Sequence, residues 1–178
     1  MMQAVILDRD GVINHDRPDY VKTPHECRPI DGSIEAMARL SQAGLKVFIA
    51  SNQSGLAKKL FDYDTLFSIH HSITQQVELL GGQVNGFFFC PYLDGPERKP
   101  EPGLLLDIAM RAKIDLSSTP FIGDTCKDIQ AAVSAQALPM LVRTGKGQTS
   151  IDNHSVPADV PIYDNLYAAV DSLLEVHP

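Results

Sequence analysis

Apolar residues along this chain fall into short unbroken runs that alternate with stretches of helical spacing. The runs Ala4–Leu7, Lys46–Ala50, Gly86–Cys90, Thr119–Ile122 and Met140–Val142 are too short for helices and read as buried strands. Helical patterns fill the intervals. Ser33–Gln42 carries Ile34, Met37 and Leu40 and is followed by Gly44 as a stop. Asp64–Leu80 places Leu66, Ile69, Ile73, Val77 and Leu80 on one face. Gly103–Lys113 follows Pro102, and Lys127–Gln136 is rich in alanine. Asn165 is placed to cap a last helix whose Leu166, Val170 and Leu173 face inward. Strand and helix in alternation predict an α/β fold, a mostly parallel Rossmann-like sheet with helices on both faces. The run Phe87-Phe88-Phe89 predicts a strand buried on both faces.

Two segments break the alternation. Residues 9–30 contain Pro18, Pro24 and Pro29 and no clear helix; residues 91–102 hold Pro91, Gly95, Pro96, Pro100 and Pro102. Both follow strands, so both belong at the carboxyl edge of the sheet, where open α/β folds bind ligands. Residues 144–163 read as a long polar connection. None of the three is long enough for a separate cap domain, and 178 residues predict one domain spanning 1–178.

Charge and cysteine content narrow the function classes. With 15 Lys+Arg against 22 Asp+Glu the formal charge is −7, which speaks against a nonspecific nucleic-acid binder while allowing a small cationic pocket. Cys27, Cys90 and Cys126 are too scattered for a disulfide framework or a closed zinc site, so reduced thiols and a cytoplasmic location are expected. No signal peptide, lipidation motif or membrane-spanning run is expected, and the charge balance is compatible with a monomer.

The chemistry concentrates at strand ends. After Val5-Ile6-Leu7 come Asp8-Arg9-Asp10-Gly11, two carboxylates at the sheet edge that need a cation or a shared proton. After Val47–Ala50 come Ser51, Asn52, Gln53 and Ser54, whose hydroxyls, amides and backbone N–H groups suit an anion. This second stretch alone is also ordinary turn chemistry. Arg98 and Lys99 place two cations in the loop after the third strand. After Phe121-Ile122, Asp124 sits at a strand end with Asp128 one turn on. Such oxygens suit Mg²⁺, although a helix N-terminus accounts for Asp128 about equally well. Acids, donors and a cation converging from separate strand ends fit phosphoryl transfer.

In this order the motifs resemble those of the haloacid dehalogenase superfamily of phosphatases, over residues from about Ala4 to Gly147. The stretches at 7–14, 51–57, 90–91, 98–103 and 142–146 are similar to its heptose-bisphosphate and histidinol-phosphate phosphatases. The resemblance implies a haloacid dehalogenase-like domain without a cap. It implies removal of the 7-phosphate of a soluble sugar bisphosphate, D-glycero-D-manno-heptose 1,7-bisphosphate, on the way to nucleotide-activated heptose for bacterial surface polysaccharide. Histidinol phosphate is the alternative substrate. Asp8 would be the nucleophile, forming an aspartyl-phosphate, and Asp10 the acid and then the base. Asp8, the Asp10 carbonyl and Asp124 would hold Mg²⁺, with Asp128 in support. Ser51, Asn52 and Lys99 would bind phosphoryl oxygens, Arg98 the second phosphate or the sugar, and Asp16 to Tyr20 would form a loop over the entrance.

Two departures from the family pattern stand out. Many relatives carry a zinc loop with Cys-x-His and Cys-x-Cys, whereas Cys90–Glu97 keeps only Cys90, so no zinc is expected. Residue 125 is Thr where relatives often have Lys. The rival from another class is a non-enzymatic receiver-like phosphoacceptor; it would carry its acceptor Asp at the end of the third strand, which here reads Phe89-Cys90-Pro91. His70, His71, His15, His25, Lys58, Lys59 and Cys126 read as structural or solvated residues.

Overall fold

The run Ala4–Leu7 forms β1, and each of its residues is fully buried. Its side chains alternate between two cores. Val5 and Leu7 join Met37, Leu40, Ile69, Ile73 and Val170 on one face of the sheet. Ala4 and Ile6 join Leu105, Ile108, Ala131 and Ala132 on the other. A strand covered on both sides needs apolar residues at every position, which is why it reads as an unbroken run. The computed structural model describes residues 2–176.

The helices are α1 (Ser33–Gln42), α2 (Tyr63–Leu79), α3 (Gly103–Ala112), α4 (Cys126–Ser134), α5 (Gly147–Asp152) and α6 (Leu166–Val176). The remaining strands are β2 (Lys46–Asn52), β3 (Gly86–Cys90), β4 (Pro120–Gly123), β5 (Leu138–Val142) and β6 (Ile162–Tyr163). The strands form one parallel sheet in the order β3-β2-β1-β4-β5-β6. From β1 the chain first builds outward through β2 and β3, then returns to the other side of β1 with β4. The order therefore reverses at β1, and a crevice opens at the carboxyl ends of β1 and β4.

The local signals act as read. The Asp62 carboxylate accepts the Thr65 N–H at 2.8 Å and starts α2. Asn165 Oδ1 accepts the Ala168 N–H at 2.9 Å and starts α6. Both bonds satisfy amides that a helix start leaves without partners.

Four expectations need correction. β2 runs on to Asn52, because Ser51 and Asn52 stay paired with Phe89 and Cys90 of β3. The segment 144–163 is not only connection: it holds α5 and β6, the latter paired through Leu141↔Ile162 and Val142↔Tyr163. Neither has a sequence period long enough to see. β3 is the edge of the sheet, so Phe87, Phe88 and Phe89 are half-buried and only Cys90 is buried. Phe87 stacks on His70 with ring centroids 4.1 Å apart, and Phe89 packs beside Tyr63 and Phe67. Leu80 lies past the end of α2 and is exposed. Among the described residues no helix is long and apolar enough to cross a membrane.

Candidate active site

The Asp8 N–H continues the sheet by donating to the Ile122 carbonyl at 2.9 Å, which sets Asp8 beside the end of β4. The chain then turns on itself. The Arg9 carbonyl accepts the N–H groups of Val12, Ile13 and Asn14, and Gly11 takes φ +87°, a conformation glycine adopts without penalty. Among the described residues the Asp10 carbonyl accepts no backbone hydrogen bond in this turn.

Lys99 enters from the loop before α3 and is 3% exposed. Its Nζ lies 2.8 Å from Asp8 Oδ1 and 2.7 Å from Asp128 Oδ1, and donates to the Ala50 carbonyl at 2.9 Å. Asp128 Oδ2 is also occupied: it accepts from Thr125 Oγ1 at 2.7 Å and from the Thr125 and Asp124 N–H groups. Thr125 and Asp128 thus form a reciprocal cap on α4. Asp124 is held through Oδ2, which accepts the Lys146 N–H at 2.8 Å. Gly11 and Gly145 press their backbones against the same carboxylate so closely that a side chain on either would overlap Asp124 Oδ2. Carboxylate oxygens of Asp8, Asp124 and Asp128 all fall within 4.8 Å of one another.

Three buried acids with one cation leave negative charge in excess. Burial pushes the Asp8 carboxyl up to about 7; Lys99 opposes this, and Asp128 and Asp10 reinforce it. Burial, then the charges of Asp8 and Asp128, push Asp124 up to about 8. Burial works against the Lys99 charge, but the two carboxylates beside it outweigh that and raise it above the ordinary lysine value. The site is therefore short of positive charge, as expected of carboxylates arranged for a divalent cation.

Asp10 lies in a different environment. Arg9 Nε and Nη2 donate to Oδ1 at 3.2 and 2.9 Å, Arg9 Nη2 to Oδ2 at 3.0 Å, Asn14 Nδ2 to Oδ1 at 2.9 Å and Gln53 Nε2 to Oδ2 at 3.0 Å. Burial alone would raise this carboxyl; the Arg9 charge and the donors outweigh it and hold it below the usual range.

These groups line a cavity of about 530 Å³ that also takes in Asp16, Tyr20, Ser51, Asn52, Gln53, Ser54 and Arg98, so every expected site residue is at or in it. Asn52 differs in its use. Its amide donates one N–H to the Lys99 carbonyl at 2.9 Å and accepts the Lys99 N–H at 3.1 Å, so it also fixes the Lys99 loop. Arg98 Nη1 donates to the Tyr92 carbonyl at 3.0 Å and helps close the loop around buried Cys90. The entrance segment is tied on both sides. Asp16 Oδ2 pairs with Lys146 Nζ at 3.0 Å, and Lys58 Nζ donates to the Tyr20 hydroxyl at 2.5 Å. Lys58 is exposed as expected, yet it is also a contact of that segment. Sequence reading assigned no site role to Arg9, Asn14, Lys146 or Thr149. Arg9 between two acids and Asn14 four residues after Asp10 were visible signals. Lys146 and Thr149 reach the cavity only because β5 lies beside β4.

Residues 97–169 match the HAD-hydrolase-like family model. A D-glycero-beta-D-manno-heptose-1,7-bisphosphate 7-phosphatase of Bordetella bronchiseptica is 42% identical, over 98% of this chain and 99% of its own. The chain belongs to the heptose-bisphosphate phosphatase family. Another member, from Pseudomonas aeruginosa, is 43% identical over 96% of this chain and 97% of its own. The crystal structure of the B. bronchiseptica D,D-heptose 1,7-bisphosphate phosphatase, complexed with magnesium and phosphate, matches with a TM-score of 0.95 at 41% identity, covering 98% of this chain and 99% of that one. The family's fold is thus the one seen here, and its phosphatase chemistry is favoured over a receiver-like phosphoacceptor.

Proposed function

We propose that this chain is a Mg²⁺-dependent phosphomonoesterase that removes the 7-phosphate of D-glycero-D-manno-heptose 1,7-bisphosphate, acting in the cytoplasm as one domain without a cap. The observation that carries the reading is the buried cluster of Asp8, Lys99, Asp124 and Asp128 at the carboxyl end of β1, in a chain with near-complete coverage of its relatives. The relatives at 41–43% identity are named for the β-anomer, which favours that anomer here.

The donor set fits a divalent cation. Asp8 and Asp124 have carboxylates raised by burial first and then by neighbouring acids, and the Asp10 carbonyl is uncommitted in its turn, so these three would hold Mg²⁺. When bound, the ion would offset repulsion between an anionic nucleophile and a phosphate and polarise the phosphoryl group. Asp128, with both oxygens already engaged, supports Lys99 and the start of α4.

In this reading Asp8 attacks phosphorus and the bond to the sugar oxygen breaks, giving an aspartyl-phosphate. Asp10 protonates the departing oxygen, then takes a proton from the water that releases phosphate. Lys99 neutralises the phosphoryl oxygens beside Asp8, with Ser51 at the same edge. Arg98, whose planar fork suits phosphate, faces the second phosphate or the sugar from the loop after β3. Asp16, Tyr20, Gln53 and Ser54 line the path to it.

The test is phosphate release with Mg²⁺ from the heptose bisphosphate and, in parallel, from histidinol phosphate. A kcat/KM of about 10⁴ M⁻¹s⁻¹ or more for the heptose alone, lost in Asp8→Asn, supports the proposal. Preference for histidinol phosphate, or activity surviving Asp8→Asn, overturns it.

A further inference from the structure

Arg9 is 1% exposed and stands first among the fully buried large side chains. Burying a guanidinium is costly unless it is paired, and its pairing here is specific. The planar fork meets the Asp10 carboxylate through Nε and Nη2, while the backbone N–H of the same residue donates to Asp8 Oδ1 at 2.7 Å. One residue therefore grips both acids of the first motif.

The two oxygens of Asp10 are not equivalent. Oδ1 accepts from Arg9 Nε, Arg9 Nη2 and Asn14 Nδ2, one donor more than Oδ2. Oδ2 accepts from the shared Arg9 Nη2 and from Gln53 Nε2, whose other hydrogen goes to Ser51 Oγ at 2.6 Å. Oδ2 thus lies on the Ser51 side.

We propose that Arg9 is a positioning residue for the acid–base step. Its fork, assisted by Asn14 and Gln53, fixes the plane of the Asp10 carboxylate and sets Oδ2, the oxygen with fewer donors, on the Ser51 side as the one that exchanges protons. This rests on the phosphatase reading above. Oδ2 takes a proton from water as the substrate's anionic phosphate arrives; as the Asp8–phosphorus bond forms and the bond from phosphorus to the sugar oxygen breaks, the proton passes to that oxygen. As water adds to phosphorus and the Asp8–phosphorus bond breaks, a water proton returns to Oδ2. Lysine keeps the charge of Arg9 but cannot hold a carboxylate at two points.

The experiment compares the heptose bisphosphate, whose departing alkoxide needs a proton, with p-nitrophenyl phosphate, whose departing phenolate does not. A general acid contributes about 10²–10⁴-fold to the first case. Arg9→Lys is expected to lower kcat on the sugar by about 30–100-fold, with KM within about threefold and p-nitrophenyl phosphate turnover within about fivefold. Asn14→Ser, which leaves Arg9 in place, is expected to show the same selectivity at about 3–10-fold. Asp10→Asn is the reference. If Asp10→Asn discriminates between the substrates while Arg9→Lys lowers both by the same factor, the Arg9 proposal is overturned and the phosphatase reading stands. If Arg9→Lys does not fold, equal losses in Asn14→Ser overturn it. If Asp10→Asn itself lowers both equally, the acid–base reading falls and takes this proposal with it.

Discussion

Gly145→Ala isolates how far the site depends on two backbones closing on one carboxylate. Gly145 has φ +59°, where an alanine costs about 1 kcal/mol more than glycine. The larger effect is steric. A Cβ there would overlap Asp124 Oδ2 and stand 2.5 Å from the Gly11 Cα and 3.0 Å from the Gly11 carbonyl oxygen. Ordinary contact begins near 3.4 Å, so either the Asp124 carboxylate or the Gly11 turn must retreat by roughly 1 Å, and that turn carries Asp8 and Asp10. Overpacking of this kind costs about 1–3 kcal/mol, so total destabilisation of about 2–4 kcal/mol is expected once the backbone cost is added. A displacement of about 1 Å at the reacting groups lowers rates by about 100-fold. The expected result is a kcat/KM lower by that factor and a Mg²⁺ half-saturation raised by at least about tenfold. Gly44→Ala is the control: its φ is +82° and a Cβ there meets nothing within 4 Å. It should lose about 1 kcal/mol in urea unfolding and no activity. If Gly145→Ala keeps Mg²⁺ half-saturation and kcat/KM within about threefold of wild type, the claim that these glycines hold Asp124 in place is wrong.

Without Mg²⁺, stability should fall as pH rises from about 6.5 to 8. Asp8 and Asp124 keep protons to about 7 and 8 when folded but only to about 4 when unfolded, so the folded state binds more protons in that window. His70, held neutral down to about 3 by burial, acts in the opposite direction below about 6.5 and is silent above it. A melting temperature in EDTA that is flat or rising from pH 6.5 to 8 would contradict this. Added Mg²⁺ should raise it more at pH 8 than at pH 6.5, and Asp124→Asn should remove most of both effects. Lys99→Met strands two buried carboxylates and should cost about 3–5 kcal/mol in urea unfolding as well as all detectable phosphate release. Thr125→Ala removes one half of the cap on α4, and differential scanning calorimetry should show a loss of about 1 kcal/mol.

Much of this was legible in the chain. An unbroken apolar run is the signature of a strand covered on both faces, so β1, β2, β4 and the alternating helices could be read directly, and strand ends dense in acids marked the site edge. Phe87–Phe89 misled because burial depends on neighbours: the same run would be a central strand if another strand paired beyond it, and among the described residues none does. β6 and α5 were invisible because two residues and six residues hold no period, and pairing with β5 decides them.

The site divides in the same way. Residue identities and spacing sufficed to nominate Asp8, Asp10, Lys99 and Asp124, because few other chemistries need those groups at successive strand ends. How each one is held was a tertiary matter. Asn52 turns to the Lys99 backbone, Gln53 reaches Asp10, and Lys146 brings its N–H to Asp124 from residues far along the chain. Hydrogen-bond partners across 22 to 47 positions depend on sheet order and register, which a one-dimensional pattern does not carry. The raised carboxylates of Asp8 and Asp124 likewise arise only once folding has buried them together.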